Sequence, residues 1–118
     1  MVSDMDRSVS ETNVELVLIY SIDNHGSPGL FQNANEAACR VLGLGHAVLL
    51  NLSPLDLICG PDGRKEFLLY INNIRTAEAR LLQTCLMAKD GSRIMVELKT
   101  RTFDINGQSG RLSIGRRI

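Results

Sequence analysis

The spacing of apolar positions changes twice along this chain, and each change marks a change of secondary structure. "VELVLIYSID" at 14–23 concentrates branched side chains and reads as a strand. "NHGSPG" breaks it, and "LFQN" at 30–33 resumes an extended pattern, so the two predict a hairpin with a longish loop. The period then becomes helical. Ala38, Val41 and Leu42 fall three and four apart. Asn35 stands where a side chain can accept from the free N–H groups of a first helical turn. Glu36 places negative charge at the positive helix end, and Gly43 can take the left-handed conformation that stops a helix. A helix over 36–42 follows.

Ser53, Pro54 and Asp56 form a second start signal, for a very short helix ending around Gly60. In "PDGRKEFLLYINNIRT", Phe67, Tyr70, Ile71 and Ile74 share one helical face. From residue 78 the period becomes two. "EARLLQTCLMA" is a strand and Asp90-Gly91 a tight turn. "SRIMVELKTRTFDI" alternates, with Ile94, Val96 and Leu98 on one face and Met95, Glu97, Lys99 and Arg101 on the other. Asn106-Gly107 is the strongest hairpin signal in the chain, and "GRLSIGRRI" closes as a last strand. Two strands, three helices and three strands predict an α+β fold: a five-stranded antiparallel sheet with short helices on one face. Residues 1–13 are polar and read as a flexible arm or a short helix capped by Ser10.

Composition narrows the function more than the fold. The chain has 118 residues, enough for one domain. Its 13 basic and 13 acidic residues cancel, which argues against nucleic acid or an anionic membrane as partner. The basic cluster Arg111, Arg116 and Arg117 reads as a solvated strand edge. No apolar run approaches the roughly 18 residues that span a membrane, and the polar start is unlike a signal peptide. A cytoplasmic protein is expected. Cys39, Cys59 and Cys85 are odd in number and lack metal-ligand spacing, so three free thiols are expected. No nucleophile elbow, phosphate loop or histidine–acid pair is evident, so no enzyme is expected here. "GLGHA" follows a helix rather than a strand and does not fit a dinucleotide fingerprint.

In order and spacing, four stretches resemble a PAS domain, a sensory module of about this length. "GLFQNANEAACRVLG" is similar to its second strand and first helix, with Asn35 and Gly43 at the usual spacing. "LSPLDLICGPD" is similar to the next short helices. "EARLLQTCLMAKDGSRIMVEL" resembles the central hairpin, with Lys89-Asp90-Gly91 at its turn, and "INGQSGRLSIGRRI" resembles the closing strand. The resemblance covers 14–118. Arg117-Ile118 stand where such domains often begin a closing Asp-Ile-Thr, and the loop "NHGSPG" is longer than usual.

The resemblance implies a sensory or regulatory module of a signalling protein, such as a sensor kinase or a cyclic-dinucleotide enzyme. Catalysis and output would lie in another domain. PAS domains bind haem, flavin, small metabolites or nothing. The position that carries a reactive cysteine in photosensing flavin relatives is Leu55 here, and Cys59 lies four residues on. Haem relatives use a histidine on the long helix, whereas residues 62–76 hold none; His25 and His46 lie elsewhere. No haem or flavin cofactor is expected. The candidate site is the space between sheet and helices, lined by Ile19, Leu55, Ile58, Phe67, Ile71, Ile74, Val96 and Leu98, with Tyr70 as a polar handle. Two readings stay open: a small-molecule ligand sensed in that space, or plain core in a ligand-free dimerisation module. A homodimer is expected through residues 1–16 and the outer sheet face, where Met95 and Phe103 point outward and Val9, Val14 and Leu16 could fold over the sheet.

Overall fold

The computed structural model describes residues 15–74 and 80–118. The arm at 1–13, its Ser10 cap, Val9 and Val14, and the positions 75–79, where the expected helix ends and the expected strand begins, lie outside the described residues.

Strand β1 (Leu16–Ile22) runs antiparallel to β2 (Pro28–Ala34). The connecting turn is tied by the Asp23 carboxylate, which accepts from the backbone N–H groups of His25 (2.8 Å) and Ser27 (2.9 Å). Helix α1 (Glu36–Leu42) follows directly. The Asn35 side chain accepts from Ala38 N–H at 3.0 Å, and Gly43 ends the helix at φ 70°. Both helix-boundary expectations hold.

Asn35 does more than cap. Its Oδ1 also accepts from Val17 N–H at 3.0 Å, and its Nδ2 donates to Glu15 C=O at 2.8 Å. Its own backbone N–H donates to Val17 C=O at 3.0 Å. One residue thus starts the helix and extends the β1–β2 ladder past the end of β2.

Among the described residues there are four helices where three were expected over the same stretch. The additional one is α2 (His46–Leu49), a single turn with Gly45 at its start and no capping side chain. Only Leu49 is buried on it, so it left no periodic pattern to read. Helix α3 (Pro54–Leu57) begins where expected, with the Asp56 carboxylate accepting from Ser53 N–H at 2.8 Å. Helix α4 (Gly60–Asn72) buries Phe67, Tyr70 and Ile71. Its last turn is closed by Asn72 and Asn73, whose side-chain amides donate to Leu68 and Leu69 C=O.

Strands β3 (Arg80–Met87), β4 (Arg93–Ile105) and β5 (Gln108–Arg117) form the expected antiparallel meander. The β4–β5 turn holds Asn106 at φ 51° and Gly107 at φ 84°, the pair of positive angles that a two-residue hairpin turn demands. Strand order is β2-β1-β5-β4-β3, all pairs antiparallel, so β1 and β5 lie side by side near the centre. Helices cover the face that carries Leu16, Leu18 and Tyr20 of β1 and Val96 and Leu98 of β4, all buried.

Two expectations are corrected. Cys59 and Cys85 are joined in a disulfide, with Cα atoms 5.4 Å apart, and Cys39 alone is free. Cys59 N–H also donates to Cys85 C=O at 2.9 Å, which fastens the α3–α4 junction to the edge strand β3. Leu16 is not available to an arm over the outer face, because it points into the core and is 1% exposed. Phe103 falls on the same outward row as Met95, as expected, and is half-buried there: its ring lies over Gly110 on β5, where an added Cβ would meet it at 2.8 Å. That glycine leaves room for an aromatic ring across the strand pair. Met95, at 50% exposure, does point outward as expected. No helix among the described residues is long and apolar enough to cross a membrane.

Candidate functional site

The interior between sheet and helices is built from aromatic rings. Tyr20 and Phe31 meet edge-to-face at 6.0 Å between centroids, Tyr20 and Phe67 are tilted at 6.2 Å, and Phe67 and Tyr70 at 6.5 Å. The chain has three phenylalanines, two tyrosines and no tryptophan, so four of its five aromatic residues form this one row. β2, β1 and α4 each supply a part of it. Rings stacked in this way fill volume with few rotamers to lose.

What remains is a cavity of about 10 Å³, lined by Leu18, Tyr20, Phe31, Pro54, Leu57, Ile58, Phe67, Leu86, Leu98 and Ser113. That is about the room one water molecule needs.

The buried hydroxyls satisfy one another. Tyr20 OH and Ser113 Oγ are 2.9 Å apart, and Ser113 Oγ and Thr100 Oγ1 are 2.7 Å apart. Tyr70 OH donates to Leu98 C=O at 3.3 Å and lies beside Thr100. Burial raises the Tyr20 phenol far above its ordinary range, with the Ser113 bond opposing. Burial raises Tyr70 too, against its bonds to Thr100. These groups are neutral hydrogen-bonding fillers, and no buried side-chain nitrogen or oxygen among the described residues lacks a partner.

Of the residues expected to line the site, Ile58, Phe67 and Leu98 face the cavity. Tyr70, Ile71, Ile74 and Val96 are buried in the surrounding core, and Leu55 packs at its margin. Ile19 is a correction. It lies on the opposite row of β1 from buried Leu18 and Tyr20, on the outer sheet face. "LVLIYSI" is apolar on both rows, which hid the register. Ser21, on the same row as Ile19, was the available sign that this row faces out. Leu18, Tyr20, Phe31, Leu86 and Ser113 were missed because their convergence needs the strand order. Cys59 has no thiol to offer, being bonded to Cys85. His46 is exposed and sits 3.3 Å from the Asn33 side chain, and His25 is exposed in the β1–β2 turn. No group of three metal-ligating side chains occurs among the described residues.

No family model and no curated protein matches the sequence. Solved structures do match. A PAS domain of an HTR-like protein from Haloarcula marismortui superposes with a TM-score of 0.75 at 20% identity, over 99% of this chain and 92% of that one. A PAS domain from a two-component sensor histidine kinase gives 0.70 at 16% identity, over 98% and 99%. A domain of a sensory box sensor histidine kinase/response regulator from Geobacter sulfurreducens gives 0.66 at 21% identity, over 98% and 93%. The chain has the PAS fold.

Proposed function

We propose that this chain is a regulatory PAS module of a signal-transduction protein, one whose packed core holds no resident cofactor and which signals through protein contacts. The observation that carries this reading is the interior cavity of about 10 Å³, filled from three elements by Tyr20, Phe31 and Phe67. The sensor-kinase origin of two of the matched structures supports a place in signalling. Catalysis, where the full protein has it, belongs to a separate output domain.

The contact surface in this reading is the outer sheet face, and the partner a second copy. Val17 on β1 pairs with Ile114 on β5, Ile114 with Lys99 on β4, and Lys99 with Leu81 on β3. Ile19 and Leu112 form a second such pair two residues along. Leu81 is 61% exposed and Met95 50%. The result is an aliphatic strip across β1 and β5, interrupted by Lys99 and Arg101 on β4 before Leu81 on β3, a mixed apolar and charged face of the kind that protein contacts use.

Native mass spectrometry and an absorbance spectrum of the protein as purified test both halves. The expected result is a colourless protein whose mass is that of the polypeptide, alone or doubled. Ile114→Glu is expected to shift a doubled species to single. A stoichiometric small-molecule mass, a haem band or a flavin spectrum would overturn the packed-core reading in favour of small-ligand sensing. A wild-type protein that stays monomeric at about 100 µM, a generous ceiling for weak module contacts, would remove the dimer.

A further inference from the structure

Arg111 was expected at a solvated strand edge with Arg116 and Arg117. Instead its side chain turns inward, and the residue is 7% exposed. Nε donates to Ile71 C=O at 3.1 Å, in the last turn of α4. Nη1 donates to Ser109 Oγ at 2.8 Å and to Gly110 C=O at 3.0 Å. A guanidinium has five N–H donors, so these three bonds leave both Nη2 hydrogens over. Every acceptor is neutral. The one ion pair among the described residues joins Arg116 to Glu97 at the surface, 3.8 Å apart, so the buried charge has no carboxylate partner among the described residues.

A buried cation normally has a counter-charge. The helix end that Arg111 caps compensates only in part. Nη2 is also not sealed in, since no buried side-chain nitrogen among the described residues lacks a partner. It meets the open space beside it: a groove of about 610 Å³ lined by Arg111, Ser109, Thr102, Asp104, Asn72 and Ile74, with Phe103 at one side.

The arrangement of that wall follows from register. Thr102 stands opposite Arg111, and Asp104 opposite Ser109, on the helix-facing side of the β4–β5 hairpin. Arg111 and Asp104 are therefore diagonal neighbours, about 7–8 Å apart between Cα atoms, yet no ion pair joins them. Arg111 is held back by the helix end. Two opposite charges then face one groove with hydroxyls beside them. A doubly charged phosphate would meet repulsion from Asp104. A small zwitterion would satisfy both ends.

We propose that this groove binds a small carboxylate that also bears an ammonium group, the chemistry of a free amino acid, with Arg111 holding the carboxylate and Asp104 facing the ammonium. Ser109 and Thr102 supply hydroxyl donors to the carboxylate, and Ile74 an apolar wall. The inference goes beyond the proposed function and does not depend on it, since the groove and the core cavity share no lining residue.

The test is an amide NMR titration of the full chain with glycine, acetate and inorganic phosphate. Glycine is expected to give saturable shifts at Thr102, Ser109 and Arg111. Acetate should bind about threefold to fivefold more weakly, the worth of one exposed charge pair, and phosphate more weakly still. Asp104→Asn, at an exposed position, should erase the advantage of glycine over acetate. Arg111→Lys keeps the charge, loses the fork, and should weaken both. Absence of saturable shifts with glycine up to about 50 mM, a floor below which no specific site is credible, would overturn the proposal. So would phosphate binding tightest, or an Asp104→Asn variant with unchanged preference. Should Arg111→Lys fail to fold, the Asp104 variant still decides. A core ligand found by native mass spectrometry would overturn the packed-core reading and leave this titration untouched.

Discussion

Replacing Asn35 with alanine removes one side chain and three hydrogen bonds. The bond from Ala38 N–H is the helix cap, whose loss costs about 1 kcal/mol. The bond from Val17 N–H is half-buried, and leaving that donor unpaired costs about another 1 kcal/mol. The bond to Glu15 C=O is exposed, so water replaces most of it and about 0.5 kcal/mol is at stake. Together Asn35→Ala should lose about 2–3 kcal/mol, a large share of the roughly 5–15 kcal/mol that holds a domain together. That corresponds to about 10 °C in melting temperature at this size. With no tryptophan in the chain, far-UV circular dichroism in urea is the natural assay. The midpoint should fall with the slope unchanged. Asn35→Asp keeps both accepting roles of Oδ1 and should lose about half as much. Gln32→Ala, at an exposed neighbour, should change little. A loss under about 1 kcal/mol for Asn35→Ala, the value of a cap alone, would refute the idea that this side chain ties the strands to the helix. Equal losses for the aspartate and alanine variants would refute it as well.

Two further outcomes follow from buried groups. Protein prepared without reductant should show one titratable thiol when denatured and three after reduction, and reduction should cost about 3 kcal/mol for a closed loop spanning a separation of 26 residues; three thiols before reduction would refute the pairing. The raised phenols of Tyr20 and Tyr70 ionise first in the unfolded chain, so the stability they contribute is full below pH about 10 and is lost as pH rises above it. Tyr20→Phe should lower neutral-pH stability by about 1 kcal/mol through the lost Ser113 bond and flatten the alkaline slope, and an unchanged slope would contradict the assignment.

The parts of the fold that could be read from the sequence are those set by neighbours in the chain. The Asn35 cap, Gly43, Asp90-Gly91 and Asn106-Gly107 each act within a few residues, and each stands where its chemistry placed it, whereas the bonds of Asn35 to Val17 and Glu15 were not legible. The α4 face of Phe67, Tyr70 and Ile71 was legible for the same reason. What stayed hidden depends on distant partners. Cys59 and Cys85 meet only because the α3–α4 junction lies against β3. Arg111 points inward because the end of α4 lies over β5, which no local pattern announces. Ile19 was misplaced because a strand apolar on both rows carries no register. The part that Phe31 and Tyr20 play in the interior was not legible because they converge from separate strands.

The pairing of β1 with β5 also bears on how the chain reaches its fold. Leu18 of the first strand meets Ser113 of the last, so the middle of the sheet joins segments from opposite ends of the sequence. That contact closes a very long loop, whose entropy is lost before packing offsets it. The β1–β2 hairpin can form early, but its inner edge stays unpaired until the last strand emerges from the ribosome. Folding should therefore be slow for a domain of this size, with its rate set by late closure of the central pair rather than by its helices.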